Sequence, residues 1–152
     1  MTTTDTDRIE KKILLRAPRS RVWRALTDSD EFGSWFGVKL EEGFVAGKPM
    51  RGRITTPGYE HIEMKATVEQ IVPETYFSFR WHPYALDPNI DYSLEPTTLI
   101  EFRLADADGG TLLTILESGF DAIPAERRAE AYRMNAQGWE TQLENVRRHV
   151  AG

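Results

Sequence analysis

Cysteine is absent from this sequence and histidine occurs only three times. Without cysteine there are no disulfides, no thiolate metal ligands and no thiol nucleophile, a composition compatible with a reducing cytoplasm. No run of about 18 apolar residues is present, and the opening MTTTDTDRIEKK carries no apolar stretch behind a basic one. Neither a membrane span nor a signal peptide is therefore expected, and a soluble, cytoplasmic protein that does not insert into membranes is the expectation. Basic residues are also in deficit: 19 Lys and Arg stand against 24 Asp and Glu, a net charge of -5. The electrostatic footprint that supplies most nucleic-acid affinity is missing, so nucleic acid is not an expected partner. No glycine-rich phosphate loop, no GxSxG elbow and no HExxH occurs. Ser118-Gly119 lacks the upstream glycine of a nucleophile elbow. His61 and Glu63 could hold a metal only with a third ligand, and no second cluster supplies one at recognisable spacing. No metal, no cofactor and no catalytic residue is assigned.

What is present is enough apolar material for one core: 152 residues, 40% hydrophobic and 11% aromatic. One domain over residues 8–150 is expected, after a disordered tail at 1–7. Arg8 to Ala17 alternates as a strand, with Ile9, Ile13 and Leu15 on one parity. Pro18 fits the first turn of a helix carrying Val22, Trp23, Ala25 and Leu26, and Asp28-Ser29 can cap a second short helix. Strands are expected at 37–42, 49–55, 60–72, 75–82, 96–105 and 111–119, joined by short turns into an antiparallel meander. A long helix follows from Pro124 to Val150, with Tyr132, Ala136, Trp139, Leu143, Val146 and Val150 on one stripe. Its outer face mixes both signs, which favours a helix laid on the sheet over one lying on a membrane.

This order gives an α+β fold in which a curved antiparallel sheet wraps a long C-terminal helix, with two short helices after the first strand. A helix is about 10–12 Å across with its side chains and cannot fill the concave face of six or seven strands. Either large side chains fill the remainder or a cavity is left.

The segments APRSRVWRALTDSDEFGSWFG, TLLTILESGF and NAQGWETQLENVRRHV resemble the family named after activators of the 90-kDa heat-shock protein ATPase, within the START-like or SRPBCC superfamily. The resemblance extends from about Arg8 to Val150. It implies a helix-grip fold, often built around a hydrophobic tunnel for a small apolar ligand. Trp23, Leu26, Trp35-Phe36, Ser118-Gly119-Phe120 and Gly138-Trp139 match family positions, none of them catalytic.

Candidate ligand contacts follow from the inward aromatics and the loop at 83–95. Trp35, Phe36, Phe79 and Trp81 are core residues that together make an apolar pocket plausible. Tyr132 and Trp139 join them from the helix, with Asn135 as a polar contact one turn before Trp139. His82 stands where a strand stops at Pro83, and Tyr84 and Tyr92 are read as facing inward from a packed lid; the alternative is a loop that covers a sheet edge. Gly138 costs about 0.8–1 kcal/mol mid-helix, explained either by close approach of a neighbouring element or by room for a ligand. Three functions compete. The first is non-enzymatic binding of a small hydrophobic molecule, lipid-, sterol- or polyketide-like. The second is a cyclase- or dehydratase-like enzyme using His82, Tyr84 or Glu101. The third, implied by the family name, is association with a chaperone, the heat-shock ATPase. A homodimer is compatible with any of them.

Overall fold

The computed structural model describes residues 7–83, 91, 92 and 94–151. Seven strands, β1 (Arg8–Leu15), β2 (Val38–Leu40), β3 (Pro49–Ile54), β4 (Glu63–Val72), β5 (Tyr76–Trp81), β6 (Thr98–Ala107) and β7 (Gly110–Ser118), form one antiparallel sheet in the order β1-β7-β6-β5-β4-β3-β2. Strands β2 to β7 make the expected meander, and β1 returns to pair with β7 from Arg8↔Ser118 to Leu15↔Thr111. Helices α1 (Arg19–Thr27) and α2 (Ser29–Phe36) therefore carry the chain from one sheet edge to the other. A 3-10 turn at Phe120–Ala122 leads to the long helix α3 (Ala125–Ala151).

Period-two patterning sets which side chains face inward. Ile100, Phe102 and Leu104 of β6 and Leu113 and Ile115 of β7 are buried on the concave face. At Val68–Gln70 the register against β5 shifts, with Glu69 as the extra residue, so that Ile71 rather than Gln70 resumes the inward parity opposite Phe77. Such a bulge bends the strand and increases local twist, which helps the sheet curve. Phe77 lies 5.8 Å from Phe79 and 5.9 Å from Phe102, and Phe79 lies 5.5 Å from Trp81 between ring centroids. Burying each such ring is worth roughly 1.5–3 kcal/mol, and this ladder forms the sheet side of the core.

Local signals account for the helices. Asp28 caps α2 by accepting from the backbone N–H of Asp30 and Glu31 at 3.0 and 3.1 Å, and Gly37 closes it in the left-handed region at φ 91°. Helix α3 buries Ala131, Trp139, Leu143, Val146 and Val150 and packs against β1, α1 and α2. It leaves the β3–β4 side of the concave face without a helix.

Several boundaries differ from expectation. The strand expected at 60–72 begins at Glu63, because Tyr59 and Ile62 donate backbone hydrogen bonds to Thr56 and Tyr59 and turn the chain. His61 is thus a turn residue, not a strand-face partner of Glu63. Pro18 sits at the N-cap of α1, one position before the first turn. Asp7, expected within the tail, accepts backbone hydrogen bonds from Gly119 and Phe120 at 3.1 and 3.2 Å. Residues 1–6 lie outside the described residues.

Glu31 ties the three helices together. Its carboxylate accepts from Arg21 Nη1 at 2.6 Å, Arg24 Nε at 2.7 Å and His149 Nε2 at 2.9 Å. Partial burial raises its pKa, but His149, Arg21 and Arg24 outweigh that and hold it down at about 2. A lowered carboxyl value contributes stability that is complete above the ordinary 4.5 and lost as pH falls towards about 2. The melting-temperature advantage of wild type over Glu31→Gln is accordingly expected to shrink steadily from pH 5 to pH 2.5. An advantage that is constant across that range contradicts the network.

Candidate functional site

Alternation along β7 carries Thr111, Leu113 and Ile115 inward, and the next residue on that parity is Glu117. A carboxylate is thereby placed opposite Ile9 of β1 and Ile100 of β6, at 0% exposure. Burying an unpartnered carboxylate costs several kcal/mol, and this one is partnered throughout. Oε1 accepts from Trp139 Nε1 at 2.8 Å and from Asn135 Nδ2 at 3.0 Å. Oε2 accepts from Thr98 Oγ1 at 2.6 Å, Trp81 Nε1 at 2.9 Å and Asn135 Nδ2 at 3.0 Å. All four partners are neutral. Burial pushes the Glu117 carboxyl above its ordinary value, and the donors from Thr98, Trp81, Trp139 and Asn135 pull against that rise. Indole N–H groups cannot accept, so among these partners the Thr98 hydroxyl, which can reverse its role, is best placed to receive a Glu117 proton.

Of the two indoles that Glu117 holds, Trp81 forms part of one wall of a recess and Trp139 stands behind it. Trp81 and Trp139 stack with centroids 5.9 Å apart, and Phe36 lies 6.0 and 6.2 Å from them. The recess and the outer surface continuous with it enclose about 1050 Å³. Met50, Met64 and Ala66 border it from the sheet, and Asn135, Gly138 and Gln142 from α3. Its outline runs around the turn between β3 and β4, at Thr56, Tyr59, His61 and Ile62, and takes in the outward-facing Lys65 and Thr67 as well, so that volume covers both faces of the sheet. Among the described residues, a Cβ built on Gly138 meets nothing within 4 Å. The close approach offered as one explanation of this glycine is thus not found there. It occurs in α2, where a Cβ on Gly33 would lie 2.2 Å from the Val38 carbonyl oxygen.

The expected contacts divide accordingly. Phe36, Trp81, His82, Tyr92 and Asn135 border the recess, and Trp139 backs it through Trp81 and Phe36. His82 Nε2 lies 3.1 Å from the Glu95 carbonyl oxygen, while Tyr92 has the Arg127 guanidinium 5.7 Å from its ring centroid. Arg127 also pairs with Glu95. Three residues lie elsewhere. Trp35 is buried with its indole donating to the Ala25 carbonyl at 2.8 Å, and Phe79 is enclosed in the core ladder. Tyr132 packs on Phe120 at 5.2 Å and donates to the Arg8 carbonyl at 2.9 Å, fastening α3 to β1. Tyr84 lies outside the described residues. Glu101 points to the convex face beside Ser78, accepting from Tyr76 Oη at 2.6 Å and Arg103 Nη2 at 3.0 Å. It therefore does not join His82 in one site. Glu117 was not among the expected residues. The signal that could have found it is a carboxylate on the apolar parity of TLLTILES. Among the described residues no group of three or more acidic or histidine side chains is placed to hold a metal ion.

Because the Glu117 carboxyl titrates higher in the fold than its ordinary 4.5, the folded chain holds that proton more tightly than the unfolded chain does. The resulting stabilisation is complete below 4.5 and is lost as pH rises through the folded-state value. The melting temperature of wild type minus that of Glu117→Gln is therefore expected to fall from pH 4 upward. A difference that grows with pH contradicts this environment for the carboxyl.

Solved structures share this architecture. Protein MLL2253 from Mesorhizobium loti is 21% identical, with 95% of this chain and 96% of that chain covered and a TM-score of 0.75. DynU16, from the dynemicin biosynthetic locus, is also 21% identical at a TM-score of 0.73, with 95% of this chain matching 47% of that one. The solution structure of the Aha1 dimer from Colwellia psychrerythraea is 16% identical, covers 92% of each chain and has a TM-score of 0.69. No curated protein matches in sequence. The family model described as activator of Hsp90 ATPase homolog 1-like protein matches residues 16–151. With the seven-stranded sheet and the long C-terminal helix, that match places the chain in this family of the START-like superfamily.

Proposed function

We propose that the protein binds a small, largely apolar molecule in the recess between the β3–β4 side of the sheet and α3. One observation carries this reading: Gly138, in the middle of a 27-residue helix, faces open space at the recess instead of a packed neighbour. Glycine there gives up about 0.8–1 kcal/mol of helix stability relative to alanine, and vacant volume beside an aromatic wall is what that concession supplies. The lining supports the reading further. Met50, Met64 and Ala66 offer adaptable apolar contact, and Phe36 and Trp81 a flat face for a ring. A lipid-, sterol- or polyketide-like molecule has the size and polarity for such a site.

The family's description favours a second reading, association with a heat-shock ATPase, and the dimeric neighbour raises self-association. Co-elution with such an ATPase, or a dimer by sedimentation, would support it. Enzymatic cyclisation has less support, because Glu101 lies on the convex face, outside the recess that His82 borders.

The neutral fluorophore N-phenyl-1-naphthylamine tests the ligand reading. Wild type is expected to bind about one equivalent with micromolar affinity. Gly138→Ala is expected to keep that binding and gain about 0.8–1 kcal/mol of stability, whereas Gly138→Phe loses most of the binding while remaining folded. Absence of binding by wild type, or unchanged binding by Gly138→Phe, contradicts the reading.

A further inference from the structure

We propose that the inner end of the recess selects apolar molecules bearing a hydrogen-bond donor, a hydroxyl or phenol, and discriminates against carboxylates. This rests on the ligand-binding reading above. The basis is where the wall's own donors point. Trp81 has a single donor, its indole N–H, and Glu117 takes it. Asn135 directs its amide nitrogen at both oxygens of the same carboxylate. A carboxylate accepts, so the nitrogen rather than the oxygen must face it, and the amide oxygen is turned the other way, on a residue that borders the recess. Gln142 is engaged at both ends, donating to the Phe36 carbonyl at 2.9 Å and accepting from Asn145 Nδ2 at 3.1 Å. His82 Nε2 faces a carbonyl and must carry the proton there, which leaves Nδ1 of the neutral ring as an acceptor.

The Trp81 and Asn135 donors on this wall are thus tied to Glu117, and Asn135 Oδ1 and His82 Nδ1 are left to accept, beside the Thr97 hydroxyl, which can do either. A ligand hydroxyl complements them. A ligand carboxylate would meet two acceptors, with the Glu117 carboxyl behind Asn135. The cations near the rim do not reverse this, since Arg51, Lys65 and Arg80 point to the outer face of the sheet and pair with Glu42, Glu63 and Glu69 at 4.0, 3.4 and 2.6 Å, and Arg127, over the Tyr92 ring, pairs with Glu95.

Three probes of one shape separate the outcomes: 2-naphthol, 2-methoxynaphthalene and 2-naphthoate, titrated at pH 7 into the full chain and followed by the indole N–H resonances. 2-Naphthol is expected to bind about five-fold more tightly than its methyl ether, the size of one net hydrogen bond, and more tightly still than the naphthoate. In Asn135→Ala the preference over the ether is expected to drop below two-fold while the ether's own affinity is kept. Equal affinity for naphthol and ether overturns the proposal and leaves the ligand reading standing, as does tighter binding of the naphthoate. Full preference retained in Asn135→Ala overturns the role of its amide oxygen. Failure of both neutral probes to bind overturns the ligand reading and this proposal with it. The comparison among probes on wild type needs no variant, so a poorly folded Asn135→Ala would not obscure it.

Discussion

A carboxylate with no cation beside it can remain in an apolar interior only if hydrogen-bond donors are brought to it. Glu117 imposes that requirement on the concave face, and four side chains from three elements meet it: Trp81 of β5, Thr98 of β6, and Asn135 and Trp139 of α3. Each of these contacts fixes a direction as well as a distance. Both indoles are held edge-on to the carboxylate, which fixes how they stack and therefore which surface Trp81 presents to the recess. Helix α3 is held in azimuth by two residues one turn apart. A hydrophobic contact alone would tolerate rotation of the helix by part of a turn. The carboxylate does not, because its two oxygens face specific N–H groups.

The recess itself follows from topology. Strand β1 pairs with β7, so the two short helices must cross the concave face to reach β2 at the far edge. Helix α3 packs on β1 and on both short helices, α1 lies over β6 and β7, and α2 reaches β2. One layer of helices is too narrow to cover seven strands, and the β3–β4 side stays open. Gly138 lies on the part of α3 that borders this opening, and a Cβ there would meet no described residue within 4 Å. Glu31 supports the same arrangement from the other side by joining α1, α2 and the last turn of α3.

Most of the fold was legible in the sequence because it rests on periodicity. Ile9, Ile13 and Leu15 alternate, the α3 stripe recurs at steps of three and four, and Asp28 and Gly37 punctuate α2. The edges of β4 were less legible, since a turn built from Thr56 to Ile62 uses residues that also suit a strand. The site was legible in part. Trp81, His82, Asn135 and Trp139 are found together, but their proximity depends on register between elements far apart in the chain. Trp35, Phe79 and Tyr132 look the same as these in sequence, and only packing separates a ring that fills the core from one that borders space. Glu117 was hidden for the opposite reason. A glutamate in a strand ordinarily faces solvent, and parity alone marks this one as buried. Gly138 shows the same ambiguity, since glycine permits either contact or vacancy and only the packing around it distinguishes them.

The most direct test of the central role of Glu117 is a pH titration of the four indole N–H resonances by proton–nitrogen NMR. Trp81 and Trp139 are expected to shift together, with one shared midpoint above the ordinary carboxyl value of 4.5, and to lose that titration in Glu117→Gln. Trp35, which donates to a backbone carbonyl, is expected to stay still. If the Trp81 and Trp139 resonances titrate independently, or are unmoved by the substitution, the carboxylate does not organise this face and the account fails.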